Sequence, residues 1–244
     1  MWHFPERVFA GRFRAATLVF FIGALCLFSA CGVNTDAFPT GAPRPKPVTG
    51  TFHGCPAQGS SGDPQLNTLE NRVDDPGAKG YNPIALDTLT TLPNPDNEQG
   101  KLRGTWLKAD AQSVAQYEGV AVQTAGYVVA VRYIGAEPIN CNSTTYANYH
   151  LWISDNASDP LVLGMVVVLT PRIAVNRAGW TVQSIKNLAG HFIRVTGWLV
   201  FNNEPAPQLN EDRATLWEIH PVLHLDVDVH SKWVSVDQTP FQSS

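Results

Sequence analysis

One stretch of sixteen residues limits what this chain can fold into more than any other. Residues 119–134, GVAVQTAGYVVAVRYI, are rich in β-branched and aromatic side chains and read as a single long strand, with Gly126 placed where such a strand can bend or bulge. Two further strand patterns follow at 148–154 (NYHLWIS) and 161–170 (LVLGMVVVLT), the second stopped by Pro171. The spacing at 180–188 (WTVQSIKNL) predicts a short helix closed by Gly190. Strands at 191–201 and 215–229 come next, the last with a break at Pro221. Three strands, a helix and two strands, with the first strand longest, is the element order of an OB-fold-like five-stranded Greek-key barrel. The fold expected is therefore mainly β, over residues 118–230, with another small barrel or sandwich as the alternative.

Ahead of the barrel, residues 55–117 have little core content and read as loops and short helices packed on it. In 64–73 (PQLNTLENRV), Leu66, Leu69 and Val73 recur at helical spacing, with Asp63 as N-cap and Pro64 in the first turn. Further short helices are expected at 83–91 and 109–117. Residues 231–244 read as a C-terminal tail.

The N-terminus has a different character. Arg7, Arg12 and Arg14 precede an apolar run over 15–28, and Ser29-Ala30-Cys31 follows. The run is short of the roughly 20 residues that span a bilayer, and its flanks are those of an export signal. Residues 27–31, LFSAC, resemble a bacterial lipobox, with Phe28 where an aliphatic residue is usual. This implies a lipoprotein signal peptide over 1–30, a lipid on Cys31 and an extracytoplasmic protein anchored to a bacterial membrane in the cell envelope. Residues 31–54, rich in Pro and Gly, read as a semi-rigid tether. Without the signal, 17 − 3 = 14 Lys+Arg face 21 − 1 = 20 Asp+Glu, a net charge of −6. That argues against nucleic acid, whose binding rests on Lys and Arg neutralising phosphates. Once Cys26 leaves with the signal and Cys31 takes lipid, Cys55 and Cys141 remain. In an oxidising compartment they are expected to pair, closing a long loop worth roughly 4 kcal/mol, the alternative being two free thiols.

Strand parity sorts the side chains by face. In 191–201, Ile193, Val195, Leu199 and Phe201 face the core, while Phe192, Arg194, Thr196 and Trp198 face away. In the last strand, Trp217, Ile219, Leu223, Leu225 and Val227 share the apolar side, opposite Glu218, His220, His224, Asp226 and Asp228. Two candidate sites follow. OB-folds bind through strands 2 and 3 and the loops joining strands 1–2 and 4–5, here residues 135–147 and 202–214. On that face Trp152 and Trp198 can stack on a base or sugar, and Arg194 or Arg213 can meet an anion. The alternative is that these aromatics pack against the N-terminal region. The second candidate is a polar cluster of His150, Glu218 and His220, whose imidazole and carboxylate groups suit Zn²⁺. A structural Glu–His hydrogen bond is the other reading of that cluster. No nucleophile elbow, P-loop, dinucleotide fingerprint or CxxC is present.

Gly197-Trp198-Leu199, residues 213–222 (RATLWEIHPV), and the upstream Gly54-Cys55-Pro56 with Leu66, Asn67, Leu69, Asn71 and Arg72 resemble a family of uncharacterised bacterial exported proteins with an OB-like C-terminal half. The resemblance implies the fold and a bacterial origin, and no activity. It also implies acids near the positions of Asn148 and Val168 and an Asp/Glu/His-rich loop near 202–204, where this chain is mostly neutral. The function expected is a lipid-anchored OB-fold protein binding a small ligand or an envelope protein, without catalysis and without a cofactor. The alternatives are a small metal-dependent hydrolase or nuclease using His150, Glu218 and His220, or a structural envelope protein.

Overall fold

The computed structural model describes Phe38, residues 44–204 and residues 209–242. The expected signal peptide, Cys31 and half of the tether lie outside the described residues. Among the described residues, no helix is long and apolar enough to cross a membrane.

Three short helices precede the barrel: α1 (Pro64–Glu70), α2 (Leu86–Thr90) and α3 (Lys108–Ala115). Asp63 caps α1 by accepting hydrogen bonds from the N–H groups of Gln65 (2.8 Å) and Leu66 (3.2 Å). A two-residue strand, β1 (Asn82–Pro83), lies parallel to Val122–Gln123. It occupies the start of the helix expected over 83–91, which consequently begins at Leu86. The last residues of the expected tether are held against the domain. Arg44 Nε donates to the Glu118 carbonyl (3.0 Å), the Val48 N–H to Asp74 (3.1 Å), and Arg172 Nη1 to the Gly50 carbonyl (2.6 Å). An extended, proline-rich segment leaves its backbone groups unpaired, and side chains of the domain satisfy those of Val48 and Gly50 here.

The barrel consists of β2 (Ala121–Tyr133), β3 (Tyr149–Ser154), β4 (Met165–Leu169), β5 (Phe192–Phe201) and β6 (Trp217–Val229). Helices α4 (Pro171–Ala174) and α5 (Val182–Lys186) lie between β4 and β5. The strands pair in the order β2-β3-β4-β6-β5, and β5 pairs back onto β2, so the sheet closes on itself. Only the β4–β6 contact is parallel within this ring. This is the expected five-stranded OB-fold-like barrel.

The long first strand makes closure feasible by serving two partners. Residues 121–127 pair with β5 and residues 127–133 with β3, so Tyr127 is shared. Gly126 stands at that corner, where a Cβ would lie 3.0 Å from both the Ser154 carbonyl and Leu86 Cδ2. The bulge itself falls between Val128 and Ala130. The interior is filled by alternate residues, among them Leu151, Ile153, Met165, Val167, Ile193, Leu199, Trp217 and Ile219, all fully buried. From α5 and the turn after it, Ile185 and Leu188 plug the barrel. Thr181 caps α5 through the Ser184 N–H, as a helix near 180–188 requires.

Three features depart from expectation. Two helices, α4 and α5, stand between β4 and β5 where a single one is expected, because Pro171 opens a helical turn directly after β4. The last strand runs unbroken through Pro221, because β5 and β6 slip by one residue between Thr196 and Gly197 and again between Gly197 and Leu199. A proline is tolerated where the ladder is interrupted. The two slips together preserve parity, so Trp217, Ile219, Leu223, Leu225 and Val227 all face inward as alternation predicts. The residues after β6 are not a simple tail: β7 (Lys232–Ser235) turns back and pairs with β6.

Cys55 and Cys141 form a disulfide, with Cα atoms 5.7 Å apart. It joins the segment before α1 to the loop between β2 and β3.

Candidate functional site

On the outer face of β3, β4 and β6, equivalent positions fall in rows. His150 pairs with Val168, and Trp152 with Val166, which in turn pairs with Glu218. Above these rows lies a cavity of about 360 Å³. Its walls come from α1 (Asn67, Glu70), from the β2–β3 loop (Glu137, Ile139) and from the segment between β5 and β6 (Asn202, Glu204, Asp212, Arg213). The two loops expected to flank an OB-fold binding face both contribute to it.

The floor is a buried ionic network. Glu218 and Arg213, 0% and 1% exposed, meet at 2.6 Å. His220 Nδ1 lies 3.3 Å from Glu218 Oε2 and 3.3 Å from Glu70 Oε1. Asn202 donates to Glu218 Oε2 at 3.3 Å. Burial alone would raise the Glu218 carboxyl, but Arg213 and His220 outweigh it and hold the group below the ordinary carboxylate range. Burial alone would lower His220, yet Glu70 and Glu218 push it up to about 10. Glu70 moves the other way: burial raises it, and His220 only partly offsets that. Burial pushes Glu137 up to about 7 and takes His150 down to about 4. His150 is thus a neutral ring, and Glu137 a carboxyl that changes charge near neutrality.

Several polar atoms around the cavity have no hydrogen-bond partner among the described residues. They are Glu70 Oε1, Glu137 Oε2, Asn148 Nδ2, His150 Nε2, His220 Nε2, and Nε and Nη1 of Arg213. Buried groups of this kind are costly unless something satisfies them, and their concentration at one cavity makes it the candidate site.

The predicted site residues are distributed as follows. His150, Glu218, His220, Trp152 and Arg213 all line this cavity. Trp152 is 2% exposed; its Nε1 donates to the Asp212 carbonyl at 2.6 Å and Arg132 lies over its ring at 4.6 Å, so it is wall and not an open platform. Trp198 is elsewhere. It is 2% exposed, covered by Arg72, whose guanidinium carbon stands 3.3 Å from the ring centroid, and its Nε1 donates to the Asp74 carbonyl at 2.9 Å. A joint Trp152–Trp198 stacking face is not formed, because the N-terminal region packs on one of the two rings. Arg194 is likewise committed, paired with Asp226 at 2.6 Å and lying over Trp233 at 4.7 Å.

Glu70, Glu137 and Asn67 were not anticipated. The apolar spacing of 64–73 pointed to Leu66, Leu69 and Val73 as the packing face, whereas the buried positions are Leu66, Asn67 and Glu70, followed by Asn71 and Arg72. Helix α1 therefore presents a polar face inward. Among the described residues, Glu70, Glu218 and His220 are the one His/Cys/Asp/Glu group whose candidate ligand atoms all lie within 4.8 Å of one another. His150 shares the cavity, but Glu70 takes the place expected for it in the closest set. No protein-family model matches the chain, and no curated protein matches it.

Proposed function

We propose that this chain is an exported, lipid-anchored protein of a bacterial envelope that binds a small polar ligand in the cavity on the outer face of its barrel. The observation that carries the reading is the set of partnerless buried polar atoms around a cavity of about 360 Å³, a size within the usual range for small-molecule sites. Support for the location of the site comes from the loops that wall it, which are those OB-folds use for ligands. Five acids (Glu70, Glu137, Glu204, Asp212, Glu218) line it with Arg132, Arg213 and His220, a mixed polar lining that favours a hydrogen-bonding ligand over a phosphodiester. Export and anchoring rest on the basic, apolar and LFSAC segments of residues 1–31.

Native mass spectrometry of the full chain extracted from membranes in mild detergent tests the binding. A retained small molecule is expected, and its loss from Asn148→Leu, which fills the polar wall with an apolar side chain. The absence of any adduct, with no thermal shift from millimolar amino acids, polyamines or sugars, would sink the reading. Cys31→Ser is expected to move the chain from the membrane to the soluble fraction. A wild-type chain found soluble in the cytoplasm with Cys31 unmodified contradicts the anchoring.

A further inference from the structure

The floor of the cavity gathers three side chains able to ligate a metal. Donor atoms about 2.0–2.1 Å from a tetrahedral zinc ion stand about 3.3 Å from one another. The two carboxylate oxygens nearest His220 Nδ1, Glu70 Oε1 and Glu218 Oε2, each lie 3.3 Å from it. For a charge-assisted hydrogen bond that distance is long, since such bonds run about 2.7–2.9 Å. Glu70 Oε1 makes no hydrogen bond among the described residues, although Glu70 is only 3% exposed. The three donor atoms all lie within 4.8 Å of one another, a span that one cation can bridge.

We propose that Glu70, Glu218 and His220 bind one divalent cation of the zinc class, with the fourth coordination position open to the cavity. The proposal rests on the preceding reading of the cavity as the binding site, and names the ligand that occupies its floor.

The surroundings suit the ion. Glu218 would coordinate through Oε2, while its Oε1 is held by Arg213 at 2.6 Å, an outer-shell contact of the kind that orients a carboxylate ligand. Three protein ligands and an open position are the arrangement of an accessible zinc site, as distinct from a closed structural one. The ligands come from two parts of the chain: Glu70 from α1, and Glu218 and His220 from β6. Bound metal therefore ties the N-terminal region to the barrel. Alternation along β6 puts Glu218 and His220 on one face, the face that carries Val166 and Trp152 on the neighbouring strands.

The test uses the detergent-extracted full chain, stripped with a chelator and titrated with Zn²⁺ alone by calorimetry, and separately with Co²⁺ for its ligand-field spectrum. One equivalent of Zn²⁺ and a tetrahedral Co²⁺ spectrum are expected. Glu70→Gln is expected to weaken Zn²⁺ affinity more than about 100-fold, since losing an outer-shell partner alone costs about 10- to 100-fold. Because Glu218→Gln disturbs a buried ion pair and can unfold the chain, Glu70→Gln is the decisive variant, with its fold checked by circular dichroism. Asn202→Ala, which removes a contact to Glu218, is expected to weaken binding to a smaller extent. No stoichiometric Zn²⁺, an octahedral Co²⁺ spectrum, or equal affinity in folded Glu70→Gln overturns the proposal. Native mass spectra of the same sample separate the two readings: an organic adduct without metal removes the cation and keeps the cavity as a binding site, and neither adduct removes both.

Discussion

Arg72 offers a direct test of how the N-terminal region is docked. Its side chain is 1% exposed, with Nε 2.9 Å and Nη2 2.6 Å from the two oxygens of Asp74 and its guanidinium flat on Trp198 at 3.3 Å. A desolvated cation–π contact contributes about 2 kcal/mol, and hydrogen bonds to a charged partner about 1.5–3 kcal/mol. Arg72→Ala also frees an ordered side chain, which returns about 2 kcal/mol of rotamer entropy. Asp74 retains the Val48 N–H and is not orphaned. The net loss is then about 1.5–3 kcal/mol, which for a domain of this size lowers Tm by about 3–12 °C. Thermal unfolding followed by circular dichroism measures it, and tryptophan emission from Trp198 should shift to the red as the ring is uncovered. Arg72→Lys should recover little, because an ammonium cannot fork onto a carboxylate and lie flat on an indole together. A Tm within about 2 °C of wild type for Arg72→Ala, or full recovery in Arg72→Lys, would refute the stacking argument.

The disulfide spans a sequence separation of 86 residues, so Cys55→Ser/Cys141→Ser should lose about 4–5 kcal/mol by the loop-entropy relation, read as a lower urea midpoint than that of the oxidised parent. Unchanged midpoints in the two proteins would contradict it. His224 lies between Asp237 and Asp75, each 2.6 Å away, with Asp226 and Tyr81 lining the same depression and Arg177 3.5 Å from Asp237. Its hydrogen bond to Asp237, and then that to Asp75, raise it against burial. A raised histidine contributes stability that is fully present below its unfolded value near 6.5 and is lost as pH rises through the higher folded value. Tm should therefore fall gently on the alkaline side of neutrality in wild type, less at high salt because the group is half-exposed, and His224→Gln should flatten that limb.

Much of the barrel was legible because alternation and β-branched content report directly on burial. The two slips around Gly197 left parity intact, so even the proline in β6 did not mislead the assignment of faces. A Cβ at Gly197 would stand 2.3 Å from the Pro221 carbonyl, which is why glycine occupies the crossing. The site was half legible. Glu218 and His220 could be placed together by their i, i+2 spacing on one strand. Glu70 could not, since nothing in α1 announces which face packs on the barrel, and its apolar spacing favoured another. The available signal was the polar run Glu70-Asn71-Arg72 at the end of a helix short of apolar residues. Trp198 failed as a platform for a similar reason: parity gives the side of the sheet, and only long-range packing decides whether that side is open. The strand β7 was missed because its short, exposed KWVS segment follows a turn carrying left-handed His230 and Ser231 without the glycine that usually marks one.

The Cys55–Cys141 bridge also determines how force passes through the molecule. Tension applied to the segment before Cys55 has a covalent route across to Cys141, in the β2–β3 loop, that bypasses every peptide bond from 56 to 140. Helix α1, which carries Glu70 into the cavity, lies inside that bypassed length. Once the hydrogen bonds of Val48 to Val73 and Asp74 give way, a pull on that segment would load the barrel wall, while the helix that closes the cavity floor stays slack and in register.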